Sequence, residues 1–205
     1  GVLLAGICLG SAAYFYAGGY IVIFLMLIII WQAWKKTEDH TGLAISIGMM
    51  LTLALVIAAP LIVFAILYPQ HFFDRVHEIY GWYPETVLAM SGDTASYWDY
   101  FIYQIIHSFG AYNFYADVTG FYTQAIPFLI GISSIVFPIG VILAIYKKQY
   151  FPVIWVLIVT ILGGVLSAGT PSSSHFIGVI PAICWLVAIP LDWLIERKHP
   201  TMAYF

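Results

Sequence analysis

LAISIGMMLTLALVIAAPLIVFAILY, residues 43–68, carries no charged side chain from end to end. A helix that crosses a bilayer needs about 20 apolar residues, each adding roughly 1.5 Å of rise. The stretch is long enough, and it reads as a membrane helix. Pro60 inside it predicts a kink that neighbouring helices would accommodate.

The runs on either side repeat the pattern. Residues 1–17 form one apolar run, Gly18-Gly19 would break it, and 20–34 form a second, shorter one ending at Lys35-Lys36. Downstream, 124–146 contains Pro127 and Pro138 and ends at Lys147-Lys148, followed by 151–168 and by 176–195, which ends at Glu196-Arg197-Lys198-His199. Together they predict an all-α, polytopic membrane helix bundle of about six spans. Three parts follow: transmembrane helices over 1–68, the first of them truncated; an outer interfacial segment over 69–123; and transmembrane helices with a short cytoplasmic tail over 124–205.

Composition agrees. Hydrophobic residues make up 62% of the chain and charged ones 8%, with a mean hydropathy of +0.95. A soluble domain carries roughly 25% charged residues. A net charge of −3 gives no reason to expect nucleic acid. Cys8 and Cys184 lie inside apolar runs, where a thiol packs as a small hydrophobe, and no disulfide is expected. The chain opens at Gly1 within an apolar run and without a charged leader. It therefore reads as the carboxyl portion of a longer polypeptide, not as a signal peptide.

Six of the seven basic side chains fall in three tight groups, Lys35-Lys36, Lys147-Lys148 and Arg197-Lys198, and the seventh is Arg75. Short loops flanking membrane helices carry Lys and Arg on the cytoplasmic side. Threading the six runs puts all three groups on one face. The Gly18-Gly19 break, the segment 69–123 and the turn 169–175 fall on the other. That assigns the chain to the cell membrane, multi-pass, with 69–123 outside.

The outer segment is too long for a simple connection. In it Trp98, Phe101, Ile102, Ile105, Ile106 and Phe109 follow helical spacing and leave Asp99, Tyr103, Gln104 and His107 on the other face. Phe72, Phe73, Val76, Ile79 and Tyr80 do so more loosely, leaving Asp74, Arg75, His77 and Glu78 exposed. Amphipathic helices of this kind lie in the headgroup plane, and Trp82, Tyr83, Tyr97, Trp98 and Tyr100 suit that depth.

Candidate site residues concentrate there. Arg75, an outward guanidinium, suits a phosphate bidentately; its alternatives are an ion pair with Asp74 or Glu78, or snorkelling to headgroups. His71, Asp74, His77 and Glu78 admit a metal, although no tight ligand motif is present and a solvated helix face explains them as well. In the turn Gly169-Thr170-Pro171-Ser172-Ser173-Ser174-His175, three hydroxyls and an imidazole precede the last run. Helix N-termini there would favour an anion, and Ser would also serve as an ordinary cap. No Ser-His-Asp arrangement is supported.

These residues resemble the C-terminal half of bacterial membrane glycosyltransferases of the GT-C superfamily, the protein-mannosyltransferase and aminoarabinose-transferase-like group. Three stretches carry the likeness: AGICLGSAAYFY at 5–16, YPQHFFDRV at 68–76 and PSSSHFIGVIP at 171–181. The resemblance implies transfer of a sugar from a polyprenyl-phosphate carrier on the outer face, with the catalytic acid upstream of Gly1 and no catalytic residue in this chain. It implies that Arg75 and His175, helped by Ser172, Ser173 and Ser174, hold the donor phosphate. Trp82, Tyr83, Trp98 and His107 would contact sugar or lipid. Members commonly carry Arg where His175 stands, and a His is only partly charged near neutral pH. No cofactor is implied. The rival function is a non-catalytic multi-pass subunit whose partners are other membrane subunits. A transporter is disfavoured, because its path needs polar groups near the bilayer midplane.

Overall fold

The computed structural model describes residues 1–14, 21–82, 87, 96–118 and 126–198, with 75–79 and 196–198 described by backbone alone. The Gly18-Gly19 break and Tyr83 lie outside the described residues. The chain divides into two compact units, Gly1–Tyr80 and Gly81–Phe205. The outer segment inferred from sequence is thus shared between them. Among the described residues the protein is all-helical and has no strand.

The first unit holds α1 (Val2–Ala12), α2 (Ile21–Lys36), α3 (His40–Leu67) and α4 (Pro69–Ile79). At the foot of α2 the Lys35 ammonium sits 3.9 Å from the centre of the Trp31 ring, a cation–π contact. Asp39 caps α3, its Oδ1 accepting the Gly42 N–H at 2.8 Å. Pro60 is held inside α3, which continues to Leu67. Proline begins α4, at a position where its missing N–H costs nothing.

α1 packs along α3 through glycine. A Cβ on Gly6 would lie 2.8 Å from the Met50 carbonyl oxygen, and one on Gly10 would lie 2.6 Å from that of Ala54. Gly6 and Gly10 are four residues apart, the spacing that lets apolar helices bring their backbones together. One turn beyond, the Tyr14 hydroxyl donates to the Ile57 carbonyl at 2.8 Å. The remaining circumference of α3 is bare: Leu55, Val56, Ile66 and Leu67 are all exposed.

The second unit holds α5 (Tyr97–Gly110), α6 (Ile132–Tyr146) and α7 (Tyr150–Thr160), which passes into a π-helical turn, Ile161–Val165. Then come one turn of helix, α8 (Ser173–Phe176), a 3₁₀ turn (Ile177–Val179) and α9 (Ile180–Lys198). Gly140 of α6 meets the Leu186 carbonyl of α9 with no room for a side chain. Ala144, Ala182 and Leu186 are sealed at that crossing. In the π turn, Gly163 lies against the backbone of His175, and Gly164 against Ser108 and Phe176. Two glycines in succession allow three segments to converge on one point.

Among the described residues two helices are long and apolar enough to cross a membrane, His40–Leu67 and Ser173–Ile195. The other described apolar runs form shorter helices, among them Val2–Ala12, Ile132–Tyr146 and Tyr150–Val165. α6 runs 15 residues and the helix through the π turn, Tyr150–Val165, 16. At about 1.5 Å per residue these rise roughly 23 Å, short of a hydrocarbon core of about 30 Å. The run expected over 124–146 becomes helical only at Ile132. Pro127 has no N–H and disfavours helix in the residue before it. Instead the Phe128 and Leu129 amides donate to the Ala111 and Tyr112 carbonyls at 3.0 and 2.8 Å. Gly131, at φ 58°, then turns the chain into α6.

Candidate functional site

α5 is an amphipathic helix turned inside out. Its start is a capping box: the Ser96 hydroxyl accepts the Asp99 N–H at 3.2 Å and the Asp99 carboxylate accepts the Ser96 N–H at 3.2 Å. The Ser96 hydroxyl and amide together hold the Asp99 carboxyl below the usual carboxylate range. The apolar stripe faces outward, with Trp98 67% exposed and Ile102, Ile106 and Phe109 exposed beside it. The stripe that is buried carries Tyr100, Gln104 and Ser108. An apolar stripe turned away from the chain's own interior is the arrangement favoured where the surroundings are themselves apolar.

The polar stripe is bonded in full view of the π turn and the serine turn. Gln104 Nε2 donates to the Ser167 carbonyl and to the Tyr100 hydroxyl, each at 2.8 Å. Ser108 Oγ and Thr170 Oγ1 are hydrogen-bonded to each other at 3.0 Å. Just past the helix, Tyr112 and Thr160 pair through their hydroxyls at 2.6 Å, and Thr160 donates on to the Val156 carbonyl at 2.7 Å. Burial keeps both phenols neutral. It pushes Tyr100 up to about 12, with Tyr103 adding to the rise. Tyr112 is also pushed up by burial, and its hydrogen bond with Thr160 opposes this only in part.

The serine turn already binds a carboxylate. Ser173 N–H donates to Asp117 Oδ2 at 2.5 Å. Alongside, Val118 N–H donates to the Pro171 carbonyl at 3.0 Å, tying the strand of chain after α5 to the turn. Ser172 and Ser174 pair through their hydroxyls at 3.0 Å, with Ser172 buried. α8 is a single turn of four residues, so the helix N-terminus expected here is short and its first amide is taken.

Asp117 and Ser173 stand on the wall of a cavity of about 550 Å³, whose other walls include Phe128, Phe176, Ile183 and Cys184. Among the described lining residues Asp117 is the one carboxylate, beside Ser173 and apolar side chains. Small-ligand sites fall in the range of about 300–1,000 Å³, mostly apolar with a few polar groups that fix orientation.

The residues singled out in sequence divide between the two units. Arg75 lies on α4, where only its backbone is described. His71 and Asp74 approach to 3.7 Å on the same helix, both largely exposed. Among the described residues no three His, Cys, Asp or Glu side chains are grouped for a metal. In the second unit, Trp82 is structural: its indole donates to the Val165 carbonyl at 2.8 Å, and its ring meets Tyr100 and Phe101. Trp98 stacks on Phe101 at 5.3 Å. His107 is sandwiched between Tyr103 at 3.7 Å and Tyr115 at 4.2 Å. Trp98 and His107 are nine residues apart on one helix, about 13 Å along its axis, and do not form one subsite. Ser172, Ser173, Ser174 and His175 are contiguous, with His175 half-buried against Gly163. Asp117 and Gln104 carry the polar geometry of the second unit. No short-range motif pairs Asp117 with a turn 56 residues away.

No protein-family model, no curated protein and no solved structure matches this chain.

Proposed function

We propose that the chain is an integral membrane protein, the C-terminal part of a glycosyltransferase that uses a polyprenyl-phosphate-linked sugar on the outer membrane face. The observation that carries this reading is the inverted helix α5. Its apolar stripe suits acyl chains, while its polar stripe is fastened to the serine turn. A substrate that is half lipid and half sugar needs such a boundary. In this reading the basic groups at 35–36, 147–148 and 197–198 are cytoplasmic and 69–123 is outside. Arg75 supplies the guanidinium for the donor phosphate. Trp98, exposed on α5, is the aromatic placed for lipid or sugar.

Asp117 constrains the serine turn. Its carboxylate fills the Ser173 amide, so the serine turn contributes hydroxyls and not that N–H. The catalytic group toward the acceptor would come from outside this chain, as the family likeness implies.

The chain's own share of such a reaction is carrier binding, which can be measured directly. The chain in nanodiscs should bind radiolabelled polyprenyl phosphate, and Arg75→Ala should weaken it about tenfold, the loss of one charge-assisted pair to phosphate. Binding that is absent, or that ignores Arg75→Ala, would remove the donor-site assignment.

A further inference from the structure

The turn between α6 and α7, YKKQY at 146–150, ends its helix on a backbone shape that lysine rarely adopts. Lys148 N–H donates to the Ile145 carbonyl at 3.1 Å, and Gln149 N–H to the Ala144 carbonyl at 2.8 Å. That pair of bonds is the Schellman closure, whose pivot residue is left-handed and usually glycine. Lys148 fills the pivot at φ 59°. A Cβ is disfavoured in that conformation, so Lys148 stands where glycine would be less strained. A lysine kept only to mark the side of the membrane would serve equally at an unstrained neighbouring position, because that bias reads charge and not backbone shape. Strain at one residue is an outlier from which a role for its side chain is inferred.

The surroundings suit one partner. Lys148 is the exposed member of the Lys147-Lys148 pair. Tyr146, 82% exposed, precedes the pair, and Tyr150, also exposed, begins α7. Tyrosines flanking a membrane helix hold their rings at head-group level with the hydroxyl toward water. No Asp or Glu occurs between residues 117 and 192, so the turn has no acidic neighbour along the chain. We propose that this turn binds the phosphodiester of an anionic glycerophospholipid, with the Lys148 ammonium as its point charge and Tyr146 and Tyr150 on either side as hydroxyl donors. Lysine is a common phosphate binder in this role, and its charge strengthens the hydrogen bond. The inference rests on the membrane reading and needs neither the sugar donor nor Arg75.

The full chain in detergent is titrated with dioleoyl phosphatidylglycerol or dioleoyl phosphatidylcholine, and bound lipid is counted by native mass spectrometry. A lysine near a lipid surface gives about a fivefold preference for an anionic head. The unmodified chain should therefore favour phosphatidylglycerol, and Lys148→Gln should reduce that preference about fivefold. Lys148→Arg should keep it. Lys148→Gly relieves the strained pivot, so it should fold at least as well and still lose the preference, which separates binding from misfolding. Lys36→Gln removes an exposed lysine two residues from Glu38 and should change the preference less than about twofold. Soluble glycerol phosphate should not displace the lipid. No preference for phosphatidylglycerol, a preference that survives Lys148→Gln and Lys148→Gly, equal losses at Lys36 and Lys148, or displacement by glycerol phosphate would each overturn the proposal. A chain that stays dissolved without detergent or lipid would remove the membrane reading and the proposal together. Lys148→Gln leaves Arg75 intact, so failure of this site and failure of carrier binding are told apart.

Discussion

Replacing Gly10 by alanine should force α1 away from α3, and replacing Gly48 by alanine should not. A Cβ at Gly10 would sit 2.6 Å from the Ala54 carbonyl oxygen and 2.8 Å from the Ile57 Cβ, whereas ordinary contact begins at 3.4 Å. The obstacle is backbone, so α1 has to retreat by about 0.8 Å. Such a retreat would stretch the Tyr14–Ile57 hydrogen bond from 2.8 Å to about 3.6 Å, beyond bonding distance. Overpacking of this kind costs about 1–3 kcal/mol. Gly48 has nothing within 4 Å of its would-be Cβ. Both substitutions gain the same helix preference of Ala over Gly, about 1 kcal/mol or less, so their difference isolates the steric part. Reversible unfolding of each variant in one detergent should therefore separate them by about 1–3 kcal/mol, with Gly10→Ala the less stable. If the two unfold within a few tenths of a kcal/mol of each other, the helices are not held at glycine contact and this account of the first unit is wrong.

Tyr100 makes stability depend on alkaline pH. Its phenol ordinarily titrates near 10.0 and is raised to about 12 by burial, so folding favours the neutral form. That share of stability is fully present below about pH 10 and is lost as pH climbs through 12. Melting temperature should fall over this window, and Tyr100→Phe should flatten the part of the fall that it owns; equal slopes for the two proteins would exclude Tyr100. Gln104→Leu should cost about 1–3 kcal/mol, because the Ser167 carbonyl and the Tyr100 hydroxyl both lose the donor they share. Detergent unfolding beside the outward-facing control Ile102→Val measures it, and equal midpoints would argue against a bonded polar stripe.

Local pattern gave the helices and withheld their orientation. Runs without charge placed α2 and α3 closely, since polar groups at 35–42 must interrupt any apolar helix. Helical spacing likewise located α5, because Trp98, Ile102, Ile105 and Phe109 recur as a stripe. Spacing says that a helix has two faces. It does not say which of them is buried, and only the partners of Gln104 and Ser108 decide that. Those partners, Ser167 and Thr170, stand 63 and 62 residues downstream. The pairing of Asp117 with the Ser173 amide, 56 residues away, was hidden for the same reason. Apolar composition runs unbroken through Pro127, whereas the described helix there begins only at Ile132. The packing role of Gly6 and Gly10 was not read from sequence, although their four-residue spacing is a packing signal.

The long reach of α5's bonds also orders events in time. During synthesis the helix leaves the ribosome well before the segment that completes it, at about 5–20 residues per second. For several seconds Gln104, Ser108 and Tyr112 have only water, lipid heads or each other to bond. A ribosome stalled before residue 160 would leave α5 formed but undocked, its outward apolar stripe already anchored and its inward stripe waiting. Closing a loop of some sixty residues is then the late step, and any factor that shields nascent polar helix faces would be needed in that interval.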